Sequence, residues 1–155
     1  MPCRAAAGHS PRQAAAFPAF PETGVVQVPG CPMLAQPVPA GFPSPAADYF
    51  EGRLSLDEHL IEHGEATFFV RVQGHSMTGF GIHDGDLLVV DRALEAPDRS
   101  VVIAVVDGQF TVKQLCRIPD GILLRACGAG HGDILVAGDQ ELTVWGVVRW
   151  SIHRV

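Results

Sequence analysis

Proline divides this chain into two unequal parts. Eight of its twelve prolines fall within residues 1–40, a stretch that holds only Arg4, Arg12 and Glu22 of the charged residues. Each proline removes a backbone donor and fixes φ, so this density blocks the interior of both helix and sheet. Hydrophobic periodicity is also missing there. The expectation is a proline-rich arm that is flexible or extended and docks, if at all, as an extended peptide. Residues 41–155 carry the remaining charge and nearly all the aliphatic runs, and form one folded domain of ordinary size.

Hydrophobic residues at 47% and charged residues at 18% give the whole chain a globular balance. A net charge of -6 argues against direct sequence-specific nucleic-acid binding, which needs a basic face to neutralise phosphates. It leaves action through a protein partner open. Cys3, Cys31, Cys116 and Cys127 show neither a C-x-x-C pair nor zinc spacing, and read as free thiols in a reducing cytoplasm. No run of about 18 apolar residues could span a membrane. Prolines interrupt the N-terminus before an apolar signal-peptide core can form.

Strand signals repeat along the domain. Residues 68–72, 86–91, 100–106, 109–115, 122–126 and 143–150 are short, rich in β-branched and aliphatic side chains, and separated by Gly, Pro or Asp. Asp107-Gly108 suits a two-residue type I′ turn, which makes 100–106 and 109–115 a hairpin. One helix is expected from Ser55, with Glu58 completing a capping box, to about His63, with Leu56, Leu60 and Ile61 on its apolar face. The fold class is therefore mainly β, mostly antiparallel, with one short helix.

Lys113 is the only lysine, against ten arginines. Arginine serves most surface charges but stays protonated in proteins, so it cannot act where an amine must lose its proton. Residues 110–115, Phe-Thr-Val-Lys-Gln-Leu, place Lys113 among apolar neighbours in a strand, where burial disfavours the ammonium. A lysine on an edge or solvent face is the plain alternative. Ser76 follows a strand in Gly74-His75-Ser76-Met77. A glycine there permits a sharp turn that exposes Oγ and lets nearby amides converge on an oxyanion. Serine in such a place is also a common turn former. Ala40-Gly41 is a small step in an extended, proline-flanked segment, the form a peptidase cleft accepts. Ala-Gly recurs at 7–8, 129–130 and 137–138, so the dipeptide alone singles out nothing.

Longer runs carry a resemblance. Residues 41–49 (Gly-Phe-Pro-Ser-Pro-Ala-Ala-Asp-Tyr), 66–70, 74–77, 81–91, 106–113 and 146–148, in that order, are similar to the LexA/UmuD-like family of self-cleaving serine peptidases of the SOS response. The resemblance covers nearly all of 41–155 and implies a LexA/UmuD-like peptidase fold. It implies Ser76 as nucleophile, Lys113 as general base, and the backbone amides of His75 and Ser76 as oxyanion donors. It further implies self-cleavage between Ala40 and Gly41, stimulated by a RecA filament on single-stranded DNA. The shortened form is then the accessory subunit of a UmuC-like translesion polymerase. A cytoplasmic homodimer is implied, with no metal and no cofactor.

Three features depart from the family pattern: the longer, proline-richer arm, His75 in place of a small acidic or amide residue, and Gln114 in place of a second basic residue. Other readings are a binding module that has lost cleavage and a soluble serine–lysine peptidase acting on other proteins. A serine–histidine pair at 75–76 is disfavoured because adjacent side chains point apart. His59 and His63, at i and i+4, read as a solvated helix face, and Asp84-Gly85-Asp86 as a turn rather than a metal loop. Trp145 and Trp150 read as core and interface residues of the last strand.

Overall fold

The computed structural model describes residues 30–35, 37–41, 50–136 and 140–155. In chain order the strands are β1 (Cys31–Leu34), β2 (Phe50–Leu54), β3 (Thr67–Arg71), β4 (Leu87–Asp91), β5 (Val101–Val106), β6 (Gln109–Ile118), β7 (Gly121–Arg125), β8 (Ile134–Val136) and β9 (Leu142–Ile152). The α-helix α1 (Leu56–Leu60) follows β2, and single 3₁₀ turns cover Gly64–Ala66 and Thr78–Phe80. All strand pairs are antiparallel. The molecule is thus mainly β with one short helix, as the strand pattern and the family resemblance both imply.

Seven strands form one sheet in the order β3-β4-β9-β5-β6-β7-β8. Its centre is covered on both faces. Val102 and Ile103 are neighbours on β5 and so point to opposite sides. Ile103 packs with Val72, Met77, Leu88 and Val90, whereas Val102 packs with Ala104, Leu115 and Leu124. The sheet also curls. The segment after β3 is hydrogen-bonded to the loop after β7: Cys127 N donates to Ser76 O at 2.8 Å, and Gly79 N donates to Cys127 O at 2.5 Å. The ends of β3 and β7, five places apart in the sheet order, are thereby brought together.

Two bulges on β9 help to bend the sheet. Ile103 and Ala104 pair with Gly146 and Val144, which leaves Trp145 as an extra residue, and Arg149 is extra opposite Val89 and Val90. Gly146 is required at the first bulge, because a Cβ there would lie 2.7 Å from Val90 Cγ1 and 3.2 Å from Asp91 O.

The β5–β6 hairpin turns on Asp107 (φ 48°) and Gly108 (φ 79°), both positive as a type I′ turn requires. Gly108→Val should therefore destabilise the domain by about 1–2 kcal/mol, read as a lower urea midpoint at unchanged m-value.

The helix is shorter than its apolar spacing suggests. Ser55 caps it by accepting from the Glu58 amide, but it ends at Leu60 rather than His63, it buries none of its residues, and Leu56 is exposed. Past its end, His63 Nδ1 lies 2.6 Å from Asp91 Oδ2. Burial works against the Asp91 charge, but the hydrogen bonds from His63 and the Ala93 amide outweigh it and hold the carboxyl below its ordinary range. His59 packs instead on Trp150. The two histidines therefore do not share a helix face.

Three strands have no counterpart in the sequence pattern: β1, β2 and β8. Cys31–Leu34 belongs to the proline-rich stretch, yet it pairs with β2 in a two-stranded ribbon, where Pro32 opposite Arg53 sits on a strand with only one neighbour. Cys31, Cys116 and Cys127 are free thiols, while Cys3 lies outside the described residues. Among the described residues no helix is long and apolar enough to cross a membrane.

Candidate active site

Ser76 sits in a turn whose backbone is fixed from three directions. Gly74 adopts φ 97°, a conformation other residues resist, and its amide donates to Asp84 Oδ1 at 2.6 Å. Before it, the Val72 amide donates to Asp86 O at 2.9 Å, and the Gly85 amide donates back to Val72 O at 3.0 Å. After it, Met77 is buried in the core, and the Cys127 amide holds the Ser76 carbonyl. Gly128 packs against the carbonyl of His75, leaving no room for a Cβ. The Oγ position is thus set by backbone contacts rather than by the serine side chain.

Lys113 reaches this turn from β6. It pairs with Val102 in the β5–β6 ladder and is only 7% exposed. Its Nζ donates to Ser76 Oγ at 2.9 Å and to Val112 O at 3.1 Å. Burial pushes its pKa below the ordinary lysine value of 10.5, and the Asp133 carboxylate pulls the other way. Among the described residues no carboxylate is paired directly with the amine: Asp133 instead accepts the Ala126 amide at 2.9 Å and faces Arg125. As a neutral amine, Nζ could accept the Ser76 hydroxyl proton across the same 2.9 Å contact.

A cleft of about 480 Å³ opens at Ser76, with Val70 and Gly74 on one side and Phe110, Val112 and Trp145 on the other. The bulge on β9 presents Trp145 there. Its ring meets Phe110 edge-on at 6.0 Å and Phe68 at 5.2 Å, and the Arg92 guanidinium lies 4.8 Å from its centroid. Along this cleft runs β3, which among the described residues is an edge strand paired only with β4. An extended peptide can add there, with its side chains against apolar walls.

The structure brings together two of the sequence-predicted residues, Ser76 and Lys113. The His75 side chain is exposed and is not the partner of Ser76 Oγ. Among the described residues, the amides of His75 and Ser76 have no hydrogen-bond acceptor. Ala40 and Gly41 are exposed in the segment between β1 and β2, and neither walls the cleft. Gln114, on the strand beside Lys113, donates Nε2 to Arg99 O at 2.9 Å and so braces a residue of positive φ. Trp145 is part of the core beside the cleft, whereas Trp150 is 42% exposed. Sequence reasoning missed Gly128, Cys127 and Asp133, which support the site from the far edge of the sheet. No local signal marks them, because their role arises only when the sheet curls.

The chain matches the family model described as Peptidase S24-like over residues 32–149. It is similar to Protein MucA of Salmonella typhimurium, 39% identical over 133 residues that cover 86% of this chain and 91% of that protein. It is also similar to Protein SamA of Salmonella typhimurium, 43% identical over 123 residues, 79% of this chain and 85% of that one. LexA repressor 1 of Xanthomonas oryzae pv. oryzae is 39% identical over 123 residues, 79% of this chain and 60% of the repressor. A match of this extent reaches from the β1–β2 ribbon through most of β9 and includes both Ser76 and Lys113, and the chain belongs to the Peptidase S24-like family of serine peptidases, among its LexA/UmuD-like members.

Proposed function

We propose that this protein is an autoproteolytic serine–lysine endopeptidase of the SOS response that cuts its own Ala40–Gly41 bond. The observation that carries the reading is the 2.9 Å contact between Ser76 Oγ and a lysine whose burial favours the neutral amine. Ser76 Oγ attacks the Ala40 carbonyl carbon while Lys113 Nζ takes the hydroxyl proton. The amides of His75 and Ser76 hold the oxyanion. Collapse of the tetrahedral intermediate breaks the C–N bond, and the proton passes from Lys113 to the departing Gly41 amine. Water then attacks the Ala40 acyl group on Ser76. Lys113 takes its proton, and the restored Oγ receives one in turn.

A tethered substrate has a high effective concentration, so an exposed bond away from the cleft is what a latent enzyme needs. A RecA filament on single-stranded DNA acts by raising the population with Ala40–Gly41 in the cleft. The shortened form, a cytoplasmic homodimer, then serves as accessory subunit of a UmuC-like translesion polymerase, which suits an acidic chain that meets DNA through a partner.

The test is incubation of purified full-length protein at alkaline pH, with and without RecA filaments on single-stranded DNA, followed by N-terminal sequencing. One new terminus beginning Gly41-Phe42, absent from Ser76→Ala, is expected. Intact wild-type protein under both conditions would instead make the chain a binding module. Cleavage of an added peptide with residues 1–40 still attached would make it a peptidase for other substrates.

Asp133 offers a finer check. Its charge raises the Lys113 pKa, so Asp133→Asn, which keeps the acceptor for the Ala126 amide, lets that pKa fall further. The pH–rate midpoint should move to lower pH, with faster cleavage at neutral pH. A midpoint that stays put or rises would remove Asp133 from the account.

A further inference from the structure

His83, Asp86 and His153 are far apart in the chain but meet where the β4–β9 ladder ends. Leu87 and Ile152 are its terminal partners, so Asp86 precedes β4 at the point where His153 follows β9. His83 lies three residues before Asp86, in the turn leading to the strand. The two oxygens of the buried Asp86 carboxylate have different surroundings. Oδ2 accepts the His83 amide at 2.8 Å and the Ser151 hydroxyl at 3.1 Å, which fixes the carboxylate plane. Oδ1 faces His153 Nδ1 at 2.7 Å. His83 Nδ1 lies 3.8 Å from Oδ2, and the two imidazole rings stand 4.9 Å apart at 44°. One ligand atom from each residue falls within 4.8 Å of the others.

We infer that these three residues form a binding site for a borderline divalent cation such as Zn²⁺, held by one nitrogen of each histidine and by Asp86 Oδ1. Two imidazoles and one carboxylate form a donor set suited to zinc rather than to Mg²⁺ or Ca²⁺, which favour all-oxygen shells. Bonds of about 2.0–2.2 Å in a tetrahedral site need ligand atoms roughly 3.3 Å apart. Both imidazoles are half-exposed, at 47% each, and can turn to reach that spacing, His153 by opening from 2.7 Å and His83 by moving in, while the anchored carboxylate stays in place. The fourth position faces solvent. Hydrogen bonds to Oδ2 from the His83 amide and Ser151 orient the ligand carboxylate, an arrangement that strengthens metal sites generally. A bound ion would join the end of β9 to the turn that carries Asp86. The carbonyl of Asp86 already accepts the Val72 amide, which leads into the Ser76 turn.

Untagged full-length protein should be titrated with Zn²⁺ by calorimetry, and with Co²⁺ by visible absorption. One ion per chain is expected, with a melting temperature raised by roughly 5–10 °C at a hundredfold excess over Kd. His153→Asn should weaken binding at least about tenfold, and His83→Asn/His153→Asn should abolish it. His59→Asn/His131→Asn should leave it unchanged. The single His83→Asn variant removes a ring nitrogen that makes no close bond to Asp86, so it keeps the test valid if the double variant fails to fold. Absence of binding up to millimolar Zn²⁺ would overturn the site. So would an affinity that His83→Asn and His153→Asn leave within threefold of the parent, which would assign the ion to thiols or other histidines.

Discussion

Lys113→Met should lower self-cleavage by at least about a hundredfold at every pH, yet leave a folded domain at least as stable as the parent near neutrality. General-base removal alone costs about 10²–10⁴-fold. Methionine keeps the length and apolar contacts of the lysine stem beside Val102 while removing the amine. Burial holds the folded-state pKa below 10.5. Between that lowered value and 10.5 the unfolded chain binds more protons than the folded one, so stability rises with pH across this window. Below it, the buried ammonium imposes its full cost. The methionine variant is free of that cost and should lose the rising slope, which urea unfolding at several pH values would show. In the parent, cleavage should increase about tenfold per pH unit until the amine is neutral and then level off. Lys113→Arg should stay inactive throughout, because its guanidinium keeps its proton. A pH-independent cleavage rate in the parent, or cleavage by the methionine variant at the parental rate, would remove Lys113 from the chemistry.

Gly128→Ala should be nearly as damaging, although residue 128 carries no functional group. A Cβ there would collide with the carbonyl oxygen of His75 and lie 3.0 Å from the carbonyl carbon of Ser76. These are backbone atoms already held by the Cys127 amide and by Met77 in the core, so no flexible side chain can yield. Either the loop after β7 or the nucleophile turn must move. Overpacking of this kind costs about 1–3 kcal/mol, and displacing Oγ by about 1 Å should slow cleavage roughly a hundredfold. Gly132→Ala is the control, because a Cβ at Gly132 meets nothing within 4 Å. It should change stability by no more than about 0.5 kcal/mol. Comparing the two variants by urea unfolding and by the rate at which the Gly41 terminus appears separates steric displacement from a general loss of glycine. Parental rates in Gly128→Ala would show that the turn is not seated on this loop.

Where one loop seats another, adjacent residues hold no information. Local chemistry only raised Ser76 and Lys113 as candidates, through a glycine-led turn after a strand and a lone lysine within an apolar strand, and the longer runs similar to the family singled them out. Residues 127–128 and 133 carry no such mark. Their importance depends on a curl that lays the β7 end over the β3 end. The short helix shows the same limit from another side. Its cap is a local event, and Ser55 does cap it, but its length depends on what its apolar side can cover, and His63 turns instead to Asp91.

Short aliphatic runs separated by Gly, Pro or Asp and the Asp107-Gly108 turn are properties of neighbouring residues, so the sequence by itself determined the mainly β class and the hairpin, while longer runs similar to the family picked out the candidate nucleophile and base. Strand-forming composition and turn propensity act over a few residues and need no tertiary context. Strand order, the pairing of Cys31–Leu34 with β2, the 2.9 Å approach of Lys113 to Ser76 and the meeting of His83, Asp86 and His153 were decided only in the folded molecule. Each is a contact between segments distant along the chain, selected by the burial of both sheet faces at once, and such packing is a property of the whole domain rather than of any segment within it.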